Sequence, residues 1–138
     1  MNKEVFVFLD STRSAPQSVQ LALVKSYAEN NNLKISFYGA EFSGYESNHL
    51  QLLEYAQSSE HSGFLMYSIY QFYNQSVGFD FSALSTLAST YKSFFFCLED
   101  MSFHSPQQLE SLRTDLIIAH INHLHTFPMN SDKNSLSY

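Results

Sequence analysis

The sequence predicts an α/β domain of the flavodoxin-like kind, a parallel sheet of four or five strands between two layers of helix. Three observations predict it. Val5 to Leu9 is a continuous apolar run, the mark of a strand buried on both faces, and further strand patterns recur at 33–38, 63–69 and 93–98. Stretches with apolar residues at helical spacing alternate with those runs. The connections are short, and right-handed crossovers then force parallel strands with helices on both sides; the expected order is 2-1-3-4, with a possible fifth strand outside the fourth.

The first strand, Val5 to Leu9, ends in the polar loop Asp10-Ser11-Thr12-Arg13. Ser14-Ala15-Pro16-Gln17 then reads as a capping box, with Pro16 in the first turn, where its missing N–H is no loss. Val19, Leu23, Val24, Tyr27 and Ala28 form the apolar stripe of the helix that follows, and Asn30-Asn31-Asn32 stops it. The second strand, Leu33 to Tyr38, leads into a loop containing Glu41 and Gly44. The second helix, from about Asn48 to Ser58, turns Leu50, Leu53 and Ala56 inward. After the third strand comes a polar-aromatic loop, Tyr70 to Phe79. Asp80 caps a third helix whose Leu84, Leu87, Ala88 and Tyr91 recur at helical spacing.

The fourth strand ends in Glu99-Asp100. Ser105-Pro106-Gln107-Gln108 is a second capping box, opening a helix with Leu109 and Leu112 on one face. The segment 116–121 reads as a fifth, edge strand, with continuation of the helix as the alternative. The domain is expected to occupy residues 1–127, followed by a polar, disordered tail over 128–138.

Composition bounds the function. The chain has 138 residues and a net charge of -6, with seven Lys and Arg spread singly along it. A phosphate-binding face needs a basic stripe, so nucleic acid is not an expected partner. The lone Cys97 excludes an internal disulfide and suits a reducing cytoplasm. No secretory leader is expected at the N-terminus, and no apolar run approaches the roughly 20 residues of a membrane span. A cytoplasmic protein without membrane insertion follows as the expectation.

Ligands of open parallel sheets bind at the carboxyl ends of strands, where the strand order reverses. Here that place lies between strands one and three. Asp10, Ser11 and Arg13 arrive from the first strand, Tyr67, Ser68 and Gln71 from the third, and Glu41 and Glu99 from the second and fourth. Ser11, Glu41 and Glu99 are the candidate catalytic groups; turn and cap roles are the plainer reading of Asp10 and Ser11. No glycine-rich phosphate fingerprint follows the first strand, so no cofactor is expected. His120, His123 and His125 fit neither one helix face nor one strand face; they read as surface or interface histidines, and no metal is expected. Cys97 reads as a buried, inert thiol. The aromatics Tyr38, Phe42, Tyr45, Tyr70, Phe72, Tyr73 and Phe79 fall in or near loops, which points first to a homo-oligomer interface, ahead of a stacking surface for a sugar or other ring ligand and of ordinary lids over the sheet ends.

Two resemblances narrow the setting. The first seventy residues resemble the catalytic domain of serine recombinases (resolvases), through Ser11-Thr12 after the first strand, the Gln-containing helix, the strand 33–38 and Glu41-Phe42-Ser43-Gly44. That resemblance implies Ser11 at the nucleophile position. It also implies arginines where this chain has Leu9, Gln71 and Asn74, so it is a likeness of fold without DNA chemistry. Residues 13–118 resemble the sporadic carbohydrate cluster family of bacterial polysaccharide loci. The matching stretches are Pro16-Gln17-Ser18-Val19-Gln20, Val24-Lys25-Ser26-Tyr27, Glu41-Phe42, 63–70, Leu98-Glu99-Asp100 and Ser105-Pro106. Gln17 and Gln20 join the candidate ligand-binding set on that ground. The expectation is a non-catalytic accessory or scaffold protein of surface-carbohydrate synthesis. The alternatives are an enzyme on a sugar or nucleotide-sugar, and a degenerate resolvase-like domain that binds nucleic acid.

Overall fold

A computed structural model of the protein describes residues 3–10, 16–41, 50–58 and 63–130. Strand β1 (Lys3–Asp10) lies between β2 (Leu33–Glu41) and β3 (Gly63–Met66), and β6 (Ser93–Phe96) pairs with β3, all in parallel. A short hairpin, β4 (Tyr73–Asn74) and β5 (Gly78–Phe79), stands apart from the sheet. The fifth strand of the sheet is β7 (Met101–Phe103), antiparallel to β6, giving the order β2-β1-β3-β6-β7. The predicted order of the four parallel strands therefore holds.

The fifth strand corrects the expectation at 116–121. Those residues belong to α4 (Pro106–Asn130). Leu109 and Leu116 are buried, and Leu112, Ala119, His120 and His123 are half-buried, a spacing of three and four that only a helix turns to one side. The edge is filled instead by Met101-Ser102-Phe103, whose side chains alternate in exposure as a strand requires. The turn between β6 and β7 places Asp100 at φ 54°, a left-handed conformation that Asp tolerates. Helix α4 also runs past residue 127, the expected domain end.

Period-two alternation in β1 splits the core between two faces. Val5, Val7 and Leu9 point toward α1 (Gln17–Asn30), with Leu65, Tyr67, Val24, Ala28, Leu33 and Cys97 around them. Phe6 and Phe8 point to the other face, covered by α2 (Leu50–Ser58), α3 (Phe81–Ala88) and α4. There Phe64, Phe94, Phe96 and Phe103 continue a ribbon of rings across the sheet. Phe64 stacks on Phe94 with centroids 5.3 Å apart, and Phe94 lies 5.3 Å from Phe103.

Local signals explain most element ends. Asp80 accepts from Ala83 N at 3.0 Å as the N-cap of α3. At α4, Ser105 Oγ accepts from Gln108 N (3.2 Å), and Gln108 Oε1 accepts from His104 N (2.9 Å), one residue earlier than a standard capping box. Pro16 stands at the N-cap of α1 with no side-chain cap, and Ser14 lies outside the described residues. Asn31 and Asn32 end α1, Asn32 in the left-handed region at φ 57°. In α1 Gln20 is buried together with Val24 and Ala28, while Val19, expected in the stripe, is exposed.

Candidate functional site

The carboxyl ends of β3 and β6 meet in a compact polar brace. Met66 O and Tyr67 O accept from Cys97 N (3.0 Å) and Leu98 N (2.8 Å), continuing the ladder past both strands. A 3-10 turn, Ile69–Phe72, follows with Ser68 as its cap. Gln71 Oε1 accepts from Tyr67 N and Ser68 N at 3.0 and 3.2 Å. Ser68 Oγ accepts from Tyr70 N (3.0 Å) and donates to Glu99 Oε2 (2.5 Å), while Glu99 Oε1 accepts from Ile69 N at 2.9 Å. Ser68 and Gln71 are buried and Glu99 is half-buried.

Four predicted site residues thus come together: Tyr67, Ser68, Gln71 and Glu99. Their chemistry is spent on one another and on the backbone. The Ser68 hydroxyl has a carboxylate to take its proton, yet it is fully enclosed and already accepts from Tyr70 N. Both Glu99 oxygens hold the 68–69 backbone and side chain. The Gln71 side-chain oxygen closes its own turn. The arrangement ties the loop after β3 to the loop after β6, and the turn-and-cap reading extends to all four.

The remaining candidates divide in two. The backbones of Asp10 and Glu41 are register partners at the carboxyl ends of β1 and β2. Gln17 opens α1 on its exposed side, and Gln20 is buried under it. Ser11 and Arg13 lie outside the described residues, as do Phe42 and Tyr45.

Electrostatically this end of the sheet is acidic. Burial, then Glu99, pushes the Cys97 thiol up to about 12, in keeping with an inert buried thiol. Tyr27 of α1 is raised by burial and then by Asp100, to whose carboxylate its hydroxyl donates. Among the described residues no cation contributes to either shift.

The loop aromatics build neither a free stacking surface nor an open rim where they are described. Phe72 and Phe79 are buried, and Tyr70, Tyr73 and Phe79 pack against one another with centroids 4.7–5.1 Å apart. Tyr38 is exposed. His120 and His123, expected as surface or interface histidines, are half-buried against Tyr73; the side chain of His125 is not described. No group of three or more potential metal ligands occurs among the described residues.

A solved structure shares this architecture. The crystal structure of the N-terminal catalytic domain of TP901-1 integrase superposes with a TM-score of 0.60, over 90% of this chain and 97% of that one. The fold is resolvase-like. At 18% identity the likeness is one of fold. Within this resolvase-like fold, Leu9 is core beneath α1, Gln71 caps its own turn, and Asn74 Oδ1 accepts from Ser76 N in the hairpin turn at 2.8 Å. No protein-family model and no curated protein sequence matches the chain. The resemblance to the carbohydrate cluster family, and with it a role in carbohydrate synthesis, gains no support. No helix among the described residues is long and apolar enough to cross a membrane.

What the sequence reading missed lies on α4. Ile117, Ile118, Ile121 and Leu124 are each between 42 and 48% exposed. Read as a helix, 116–130 would have disclosed that side: it contains no Asp, Glu, Lys or Arg.

Proposed function

We propose that the protein is a resolvase-fold domain without strand-cleaving chemistry, acting as a non-catalytic binding module that self-associates through α4. One observation carries the first half. Where the resemblance implies arginines to hold a phosphate, the chain has Leu9, Gln71 and Asn74, engaged in core, cap and turn. An acidic strand end and a net charge of -6 point the same way. Incubation with supercoiled DNA is expected to give neither nicking nor a covalent Ser11 adduct on a denaturing gel; either product would overturn the reading.

The exposed side of α4 supports the second half. Ile117, Ile121 and Leu124 recur at intervals of four and three, one stripe of a helix. A copy of a chain carrying -6 is repelled over most of the surface, and an uncharged apolar stripe is where two copies approach without that penalty. Sedimentation equilibrium is expected to find a dimer, converted to monomer by Ile121→Asp. A wild-type monomer at high micromolar concentration removes this half.

A second reading, a resolvase-like remnant that still holds nucleic acid, is favoured by the similarity of fold alone. A mobility shift at low salt decides it, with no retardation expected from so acidic a chain.

A further inference from the structure

The seat of α4 on the β4–β5 hairpin is made by two histidines one helical turn apart. Tyr73 Oη lies 2.8 Å from His120 Nδ1, and the rings of His120 and His123 both meet the Tyr73 ring nearly perpendicularly, with centroids at 5.5 Å. Gly78 of β5 closes the other side. Its φ is +94°, and a Cβ there would stand 3.0 Å from His120 Cδ2, so a side chain at position 78 would be strained and would press on the imidazole. His123 Nε2 is shut off from solvent.

We propose that His120, His123 and Tyr73 form an acid-sensitive latch, which seats the second half of α4 on the hairpin at neutral pH and releases it when His123 takes up a proton. A charge on that ring would lie half out of water against Tyr73, one helical turn from His120. Among the described residues the titratable groups at the seat are His120 from the same helix and Tyr73 from β4; β5 contributes Gly78. From α3, the Asp80 carboxylate is engaged with Ala83 N, and Arg113 of α4 sits over the Phe81 ring at 4.3 Å, so neither is committed to the histidines.

His123 is held below the ordinary histidine range by burial and then by His120. The sign follows. A released helix binds the proton more readily than a seated one, so the seat is at full strength above the free-histidine value of about 6.5 and weakens as pH falls below it. The stripe Ile117, Ile121 and Leu124 lies on the same turns. The consequence for self-association rests on the reading given above: release would disperse the stripe and with it the pairing of copies.

Hydrogen exchange of the full chain, corrected for intrinsic rates, at pH about 7.5 and about 5.5 tests the latch across the histidine range. Amides of 117–124 are expected to lose up to about tenfold in protection on acidification, those of β1 and β3 to change little. His123→Phe should abolish that response, and His123→Gln serves if the first variant folds poorly. A uniform loss, no loss, or a response that persists in the variants overturns the latch. Sedimentation on the same samples separates the two ideas: acid release of α4 without any change in mass supports the latch and overturns self-association.

Discussion

On one face of the sheet Val5, Val7, Leu9 and Leu65 meet the single helix α1; on the other, Phe6, Phe8, Phe64, Phe94, Phe96 and Phe103 lie beneath three helices. Both sets come from the same strands, one residue apart. Small branched side chains let one helix settle close to the sheet. Rings stacked 4.7–6.1 Å apart across neighbouring positions form a thick layer that one helix does not cover. The surplus of aromatic residues is thereby an architectural quantity: of the twelve largest fully buried side chains, seven are Phe. A composition that suggests a ligand platform in the sequence is accounted for largely by one thick core.

The contrast can be broken most severely at the ribbon. Phe94→Ala removes a ring touching both Phe64 and Phe103 and is expected to cost about 3–5 kcal/mol in urea unfolding, and more than Leu65→Ala on the α1 face, for which about 2–5 is the range. Equal losses would erase the distinction between the faces. Next comes the edge where the faces join. Gln71→Ala strands two buried backbone donors and should cost about 2–3 kcal/mol, and Glu99→Ala a similar amount through Ser68 Oγ and Ile69 N. A catalytic role for Glu99 would instead show as lost activity at unchanged stability.

Gly78→Ala probes the hairpin under the Phe face. Its left-handed backbone and the His120 contact together should cost about 1–3 kcal/mol. His120→Ala in the same chain relieves the contact but not the backbone, so a double-mutant cycle divides the two causes. The smallest effect belongs to the α1 face. With its thiol pushed up to about 12, Cys97 should react with a disulfide reagent at pH about 8 only as fast as the fold opens. Because the raised group keeps its proton in the folded chain, its contribution is complete at neutral pH and is lost as pH rises above the unfolded thiol value of about 8.5. A thiol titrating near its ordinary value would place Cys97 outside the core.

The parallel strands, their order and the caps at Asp80 and Ser105 were legible because each is written in local chemistry: apolar runs bounded by polar turns, and oxygen-bearing residues three positions before an amide. Residues 116–121 were not, since Leu116-Ile117-Ile118 has the same β-branched content in a strand as on a helix side, and burial of Leu109 and Leu116 on one side decides it. The meeting of the loops after the third and fourth parallel strands was legible, and the atoms each side chain binds were not. Ser68, Gln71 and Glu99 do converge, but which atoms they bind depends on a turn whose 3-10 geometry no periodicity announces. The latch went unseen because Tyr73 and His120 are 47 residues apart.

The backward course of β7 bears on the order in which the molecule assembles. Four residues separate β6 from β7, whereas 22 separate β1 from β2. Closing the shorter connection is easier by about 1.5 kcal/mol of chain entropy on simple scaling, and it delivers Phe103 onto both Phe94 and Phe96 at once. The outermost strand of the finished sheet is thus the one whose pairing asks least of the disordered chain, and the C-terminal half can hold a piece of hydrophobic core before the long crossovers close.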